Sequence, residues 1–284
     1  TSFIPLKAAW LRSLIQPKPG RSIIGIDYSS EEFLISAAWS GDKNMFKAYQ
    51  SGDVYLYFAK LAGAVPWDGT KEDYGPERNL FKSTTLGISY LMAAKGLSQK
   101  LTQDMGREVT EEEAQVLIHK FQKAYEGYTE ALEKERFEYI ARGYQMLPHG
   151  WVMFGDNPNY RSVSNCPIQG RGADILREAI TRCHDRCLDV IYPLHDALYV
   201  ECDTEVLKST VEMVCQIMKD SFVEIFETPE QKEIASAIRL DVDAWGPDLN
   251  EGYIKTLGGI DIKTQKIYVD PRSKSEYERF KKYL

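Results

Sequence analysis

The chain has 284 residues, with 35 Lys plus Arg against 42 Asp plus Glu. At roughly 150 residues per domain that is one large domain or two modest ones, long enough to bury a sizeable core. A hydrophobic content of 43% and a charged content of 27% exclude a disordered or collagen-like chain, and a net charge of −7 argues, as a global sum, against a nucleic-acid partner.

The chain opens on Thr1 rather than Met, as a piece of a longer protein would, and no basic-then-apolar leader precedes the first element. Apolar runs such as Ile23-Ile24-Gly25-Ile26 are far shorter than the roughly 20 residues of a membrane span. That run ends on Asp27 and reads as a buried strand. Ser29-Ser30-Glu31-Glu32 then opens a helix through Phe33, Leu34, Ala37 and Ala38, closed by Gly41-Asp42. Asp53 caps a helix through Tyr57 and Leu61, and Pro66-Trp67-Asp68-Gly69 breaks the chain. Pro76-Glu77 starts a helix to about Tyr90, a short helix covers Gly96 to Met105, and Thr110-Glu111-Glu112-Glu113 starts a long one. This breaks near Tyr125-Glu126-Gly127 and continues to Arg142, so residues 54–142 read as almost wholly helical.

The pattern then changes. Tyr144–Leu147 and Trp151–Phe154 read as a hairpin, and a helix is predicted from about Ile168 to Leu188, with Pro167 marking its start. Of the five Cys, Cys183 and Cys187 lie one turn apart on it. With His184 they lack a second cluster for zinc and read as core thiols in a reducing compartment. Val190–Leu194 and Leu198–Cys202 read as strands around His195-Asp196-Ala197, Thr204-Glu205 opens a helix to about Phe226, and a strand is expected near Ile238 to Val242. A basic helix is expected from about Ser275; the cluster Lys274, Arg279, Lys281 and Lys282 reads as a solvated terminal helix, or else as a nucleic-acid contact. The fold class is α+β, a sheet-forming domain with a mostly α-helical insertion.

Three clusters carry chemistry. If the hairpin around Asp196 lies beside the first strand, the carboxylates of Asp27 and Asp196 converge. A divalent cation such as Mg²⁺ resolves the repulsion; alternatively each acid is a turn or cap residue. Arg78, Lys82, Leu86 and Tyr90 recur every four residues along one helix face. Two cations, an apolar side chain and a ring are the inventory for a nucleoside triphosphate, or else an amphipathic helix with solvated cations. Arg161, Asn165 and Gln169 repeat the spacing and suit base or sugar edges, or an ordinary polar helix start.

These segments resemble DNA polymerases of family A. Asp27-Tyr28-Ser29-Ser30-Glu31-Glu32 is similar to motif A, Arg78-Asn79-Leu80-Phe81-Lys82 through Tyr90 to motif B, and Val190 to Leu198 to motif C. Asn165-Cys166-Pro167-Ile168-Gln169-Gly170 resembles the family's palm-helix start. The resemblance runs in family order from about Arg12 to Trp245.

It implies a palm with a mixed or antiparallel sheet over residues 1–53 and 144–253, an inserted fingers subdomain over 54–143, and an extension over 254–284. Thumb and exonuclease are expected on another or an upstream segment. It implies primer-template DNA and dNTPs as partners, no membrane, and an intracellular setting in a bacterium or phage-infected cell. Asp27, Asp196 and the Tyr28 carbonyl would hold two Mg²⁺ ions, with Mn²⁺ able to substitute. Arg78 and Lys82 would bind the triphosphate, with Lys82 protonating the leaving group. Leu86 would face the sugar, Tyr90 the nascent pair, and Glu32 would fill the space of a ribose 2′-hydroxyl. Arg161, Asn165, Gln169 and His195 would touch the primer-template. The departures are Ala197 where an acid usually follows the motif C Asp, Leu86 for Phe or Tyr, and Tyr55 where the family often has a phosphate-contacting His. A single-subunit RNA polymerase and a weakly catalytic DNA-binding subunit are the rivals; a two-metal nuclease would need more carboxylates than these.

Overall fold

The computed structural model describes residues 15–155 and 159–249 and the backbone of 262–264. The basic helix expected from Ser275 lies outside them. Two compact units emerge, one drawn from Thr1–Ser29, Leu176–Ser221 and Arg239–Leu284, the other from Ser30–Ile175 and Phe222–Ile238.

The first unit is built on a mixed sheet of order β4-β5-β1-β6-β7. Its strands are β1 (Arg21–Tyr28), β4 (Asp189–Leu194), β5 (Ala197–Asp203), β6 (Leu240–Trp245) and β7 (Ile262–Thr264). All neighbours are antiparallel except the β6–β7 pair. Strand alternation divides it into two faces. Ile24, Ile26, Leu198, Val200, Val242 and Ala244 are buried on one face. Helix α9 (Leu207–Glu224) buries Val211, Val214 and Met218 at helical spacing. The buried Tyr28 hydroxyl donates to the Met218 carbonyl at 2.8 Å, tying β1 to α9. The other face carries Asp27, Asp241, Asp243 and Tyr199. A Cβ on Gly25 would stand 2.7 Å from the Tyr199 ring, so only glycine lets that ring lie across β1.

The second unit is helical, with α1 (Glu31–Ser40), α2 (Lys43–Gln50), α3 (Val54–Leu61), α4 (Gly75–Ser89), α5 (Ala94–Met105), α6 (Glu111–Ala124), α7 (Glu126–Arg142) and α10 (Pro229–Ala235), plus a hairpin of β2 (Tyr144–Met146) and β3 (Val152–Phe154). Its core is aromatic: Phe58 meets Phe81, Phe121 and Tyr125 with ring centroids 5.0, 5.4 and 5.7 Å apart. Such contacts seat α3, α4 and α6 on one another. Asp42 uses both oxygens: Oδ1 accepts from the Asn44 and Met45 amides to cap α2, and Oδ2 accepts from the Tyr128 amide at the start of α7.

Several expectations change. Helix α8 (Tyr160–Asp185) starts eight residues before Ile168, so Pro167 lies inside it and Arg161 is helical rather than preceding the helix. Proline removes one amide and tolerates the conformation of the turn before it only at a cost. The buried Val163 and Ser164 anchor that first stretch, and Arg136 Nε donates to Ser164 Oγ at 2.6 Å. Cys183 is a core thiol, but Cys187 is exposed, past the end of α8 at φ 55. Helices α2 and α10 were not anticipated, although Thr228-Pro229-Glu230-Gln231 carries a full capping box. The last long strand is Leu240–Trp245, shifted from Ile238–Val242.

Candidate active site

The hairpin of β4 and β5 places Asp196 beside the end of β1. Asp27 pairs with Ala197 in the antiparallel register, and the Tyr28 amide donates to the Asp196 carbonyl at 3.2 Å. The turn depends on His195, which takes a left-handed φ of 59 and is exposed. Its Nδ1 lies 4.0 Å from Asp196 Oδ1. On the far side of β1, Asp27 pairs with Asp241 and Gly25 with Asp243. Directly opposed residues point to one face, so β1 and β6 direct Asp27, Asp241 and Asp243 to the same side, and the β4–β5 turn brings Asp196 up beside Asp27.

The Asp27 carboxyl is pushed up to about 7. Lost hydration comes first, then the charge and hydrogen bond of Asp196, then Asp241 and Asp243. The residue keeps an exposed edge, which leaves room for a ligand and screens part of the repulsion. Among the described residues no three His, Cys, Asp or Glu side chains form a metal cage by themselves. The donor set still fits Mg²⁺: it is all hard oxygen, it crowds like charges, and such ions are commonly completed by water and substrate phosphates. Asp241 and Asp243 were missed in the sequence. Their signal was the alternation Leu240-Asp241-Val242-Asp243-Ala244, which puts both acids on one strand face.

The helical unit holds two further constellations. On α4 the core takes Phe81, Thr84, Thr85 and Ile88, and the stripe Arg78, Lys82, Leu86, Tyr90 runs along another face. Arg78 Nε donates to Asp53 Oδ2, both side chains being largely covered. The Tyr55 ring has Arg78 Cζ 5.4 Å and Lys82 Nζ 5.8 Å from its centroid. Leu86 is half-buried and Tyr90 exposed. Asp53 read as a cap in the sequence, and its second role was not visible there.

Glu32, in the first turn of α1, is the centre of the other group. Its Oε1 accepts from the Tyr90 hydroxyl at 3.0 Å and from Gln169 Nε2 at 2.6 Å. Thus α1, α4 and α8 meet at one carboxylate. Gly170 permits this placement of α8, because a Cβ there would stand 2.1 Å from Leu147 Cδ1. Arg161 and Asn165 share the face of Gln169 by spacing; Arg161 is exposed and Asn165 half-buried. The predicted residues therefore form three local groups: Asp27 with Asp196 and Tyr28, Arg78 with Lys82, and Glu32 with Tyr90 and Gln169.

The family model for DNA polymerase family A matches residues 4–241. DNA polymerase I of Aquifex aeolicus is 29% identical over 219 residues, 74% of this chain and 37% of that protein. The DNA polymerase of Mycobacterium phage D29 is 27% identical over 220 residues, 76% of this chain and 35% of the relative. A solved structure of the POL domain of Pol1 from M. smegmatis, in complex with DNA primer-template and dNTP, superposes with a TM-score of 0.62 at 22% identity. That match covers 80% of this chain and 40% of the other, a likeness of fold. The chain thus spans little more than a third of the length of these two relatives. Among the described residues no helix is long and apolar enough to cross a membrane.

Proposed function

The chain belongs to DNA polymerase family A, and from that premise we propose that it is a template-directed DNA polymerase core, extending a primer 3′-hydroxyl with deoxynucleotides and releasing pyrophosphate. The observation that carries this reading is the β4–β5 turn, which brings Asp196 beside Asp27 at the end of β1 and so forms a carboxylate pair whose crowded charge a divalent cation would offset. Asp27, Asp196 and the Tyr28 carbonyl would be the holders. Two bound Mg²⁺ ions, or Mn²⁺ in their place, would supply polarisation of the attacking hydroxyl and neutralisation of the triphosphate.

The chain's own residues do the remainder. Arg78 and Lys82 bind the triphosphate by charge-assisted hydrogen bonds. Lys82 hands a proton to the departing pyrophosphate oxygen. Leu86 packs on the sugar and Tyr90 beside the nascent pair. Glu32, fixed by Tyr90 and Gln169, fills the space a ribose 2′-hydroxyl would need. Arg161, Asn165, Gln169 and His195 contact the primer-template. In this reading residues 1–53 and 144–253 act as palm and 54–143 as fingers, with α4 moving as a lid. This division follows the motifs rather than compactness, since α1 and the first part of α8 group with the helices. The relatives' bacterial and phage origins and the DNA substrate suit an intracellular setting.

Primer extension with Mg²⁺ tests the reading, wild type against Asp27→Ala and Asp196→Ala. Loss of extension in both is expected; activity indifferent to both would exclude this site and favour a DNA-binding subunit, the reading that Ala197 supports. An RNA polymerase would prefer rNTPs, and the fixed carboxylate of Glu32 argues for the opposite preference.

A further inference from the structure

We propose that Asp53 and Tyr55 are positioning residues that preset Arg78 and Lys82 for the triphosphate. The proposal rests on the reading that these two cations receive it.

The two oxygens of Asp53 have separate tasks. Oδ1 accepts from the Tyr55 and Leu56 amides at 3.2 and 3.1 Å, which caps α3. Oδ2 accepts from Arg78 Nε. A guanidinium has five N–H donors, and fixing the Nε corner restricts the pivot of the group. The four Nη donors are the ones that grip phosphate in pairs. A free arginine must surrender its rotamer entropy when an anion arrives; an arginine already fixed at Nε has lost part of it in the folded state.

Tyr55 is delivered by the same cap, two residues along the helix. Its half-buried ring lies against both cations, at 5.4 Å from Arg78 Cζ and 5.8 Å from Lys82 Nζ. Two like charges one helical turn apart repel, and a ring face between them offsets that repulsion while narrowing both rotamers. The ring therefore acts through the cations, whereas a direct phosphate contact would use the hydroxyl. Burial pushes the Tyr55 hydroxyl up from its ordinary value, so it stays protonated at neutral pH. The family's histidine at this position would touch phosphate itself; here the acid and the ring prepare the cations instead.

The test is equilibrium binding of dGTP to the full chain on a primer-template, together with single-nucleotide KM and kcat, for Tyr55→Phe, Tyr55→Leu, Asp53→Asn, Arg78→Ala and Lys82→Ala. Removing the ring should weaken dGTP roughly three- to tenfold, in KM more than in kcat. Tyr55→Phe should stay within about twofold, because the ring face is retained. Asp53→Asn keeps a capping oxygen and loses the Arg78 contact, so its melting point should hold while dGTP weakens several-fold. If Tyr55→Leu melts well below the wild type, ring-fluorinated phenylalanines at 55 replace it, and binding should fall stepwise with fluorination. The proposal is overturned if Tyr55→Phe is as damaging as Tyr55→Leu, or if the Leu and Asn variants bind normally while Arg78→Ala does not. Normal binding by Arg78→Ala and Lys82→Ala would instead remove the triphosphate site itself, and this proposal with it.

Discussion

Asp27 and Asp53 are carboxylates at comparable places, one ending a strand and the other starting a helix, yet they meet opposite surroundings. Asp27 faces Asp196, Asp241 and Asp243 and holds its proton up to about pH 7. Asp53 is engaged on both oxygens, by two backbone amides and by Arg78. The first arrangement crowds like charges, which raises the Asp27 carboxyl. The second is complete in itself and orders a cation for something else.

The strongest way to break this contrast is at the acid pair. Asp27→Ala and Asp196→Ala should each lower primer extension about 10³-fold or more, with single-turnover rates as the measurement; a loss under tenfold would mean the pair is not the catalytic centre. Next is the paired side. Arg78→Ala should weaken nucleotide binding roughly 10- to 100-fold, the size expected for a charge-assisted hydrogen bond, read in KM. Glu32→Ala should then raise the use of rNTP relative to dNTP about tenfold or more, since a small steric excess is discriminated by that order. An unchanged ratio would leave Glu32 a structural link among three helices.

Smaller effects sharpen the comparison through stability. The Asp27 proton is held more tightly in the folded chain than at its ordinary value of 3.8, so stability conferred by the protonated form is lost as pH rises from about 4 to about 7. Asp27→Asn lacks this loss. Its melting point should exceed that of the wild type above pH 7, by the equivalent of about 1 kcal/mol given the exposed edge, and the two curves should converge below pH 4. Added Mg²⁺ should raise the melting point of the wild type more than that of Asp27→Asn. Smallest is the cap: Asp53→Ala should be less stable than Asp53→Asn by about 1 kcal/mol, measured in urea.

Legibility divides along the same line. A β-branched run ending on Asp27 and a turn at His195-Asp196 are local signals, as are the four-residue spacing from Arg78 to Tyr90 and the cap at Asp53. Each was readable because propensity, turn chemistry and periodicity act over a few residues. Pro167 misled for the same reason: local rules place proline at a helix start, and the buried Val163 and Ser164 that sustain the earlier turns are a tertiary matter.

The sequence by itself determined most of the strands and helices, though not α2, α10 or the start of α8, and the four segments that carry the family resemblance. Only the tertiary structure decided the strand order β4-β5-β1-β6-β7, and with it the meeting of Asp27 with Asp196, Asp241 and Asp243. Likewise only the fold joined Arg78 to Asp53 and Tyr55, and Glu32 to Tyr90 and Gln169. Backbone preferences reach a few residues, whereas charges and side-chain hydrogen bonds act between whatever packing brings within a few ångströms. These partners lie 23 to 216 positions apart in the chain, so their pairing follows from the fold rather than from local sequence.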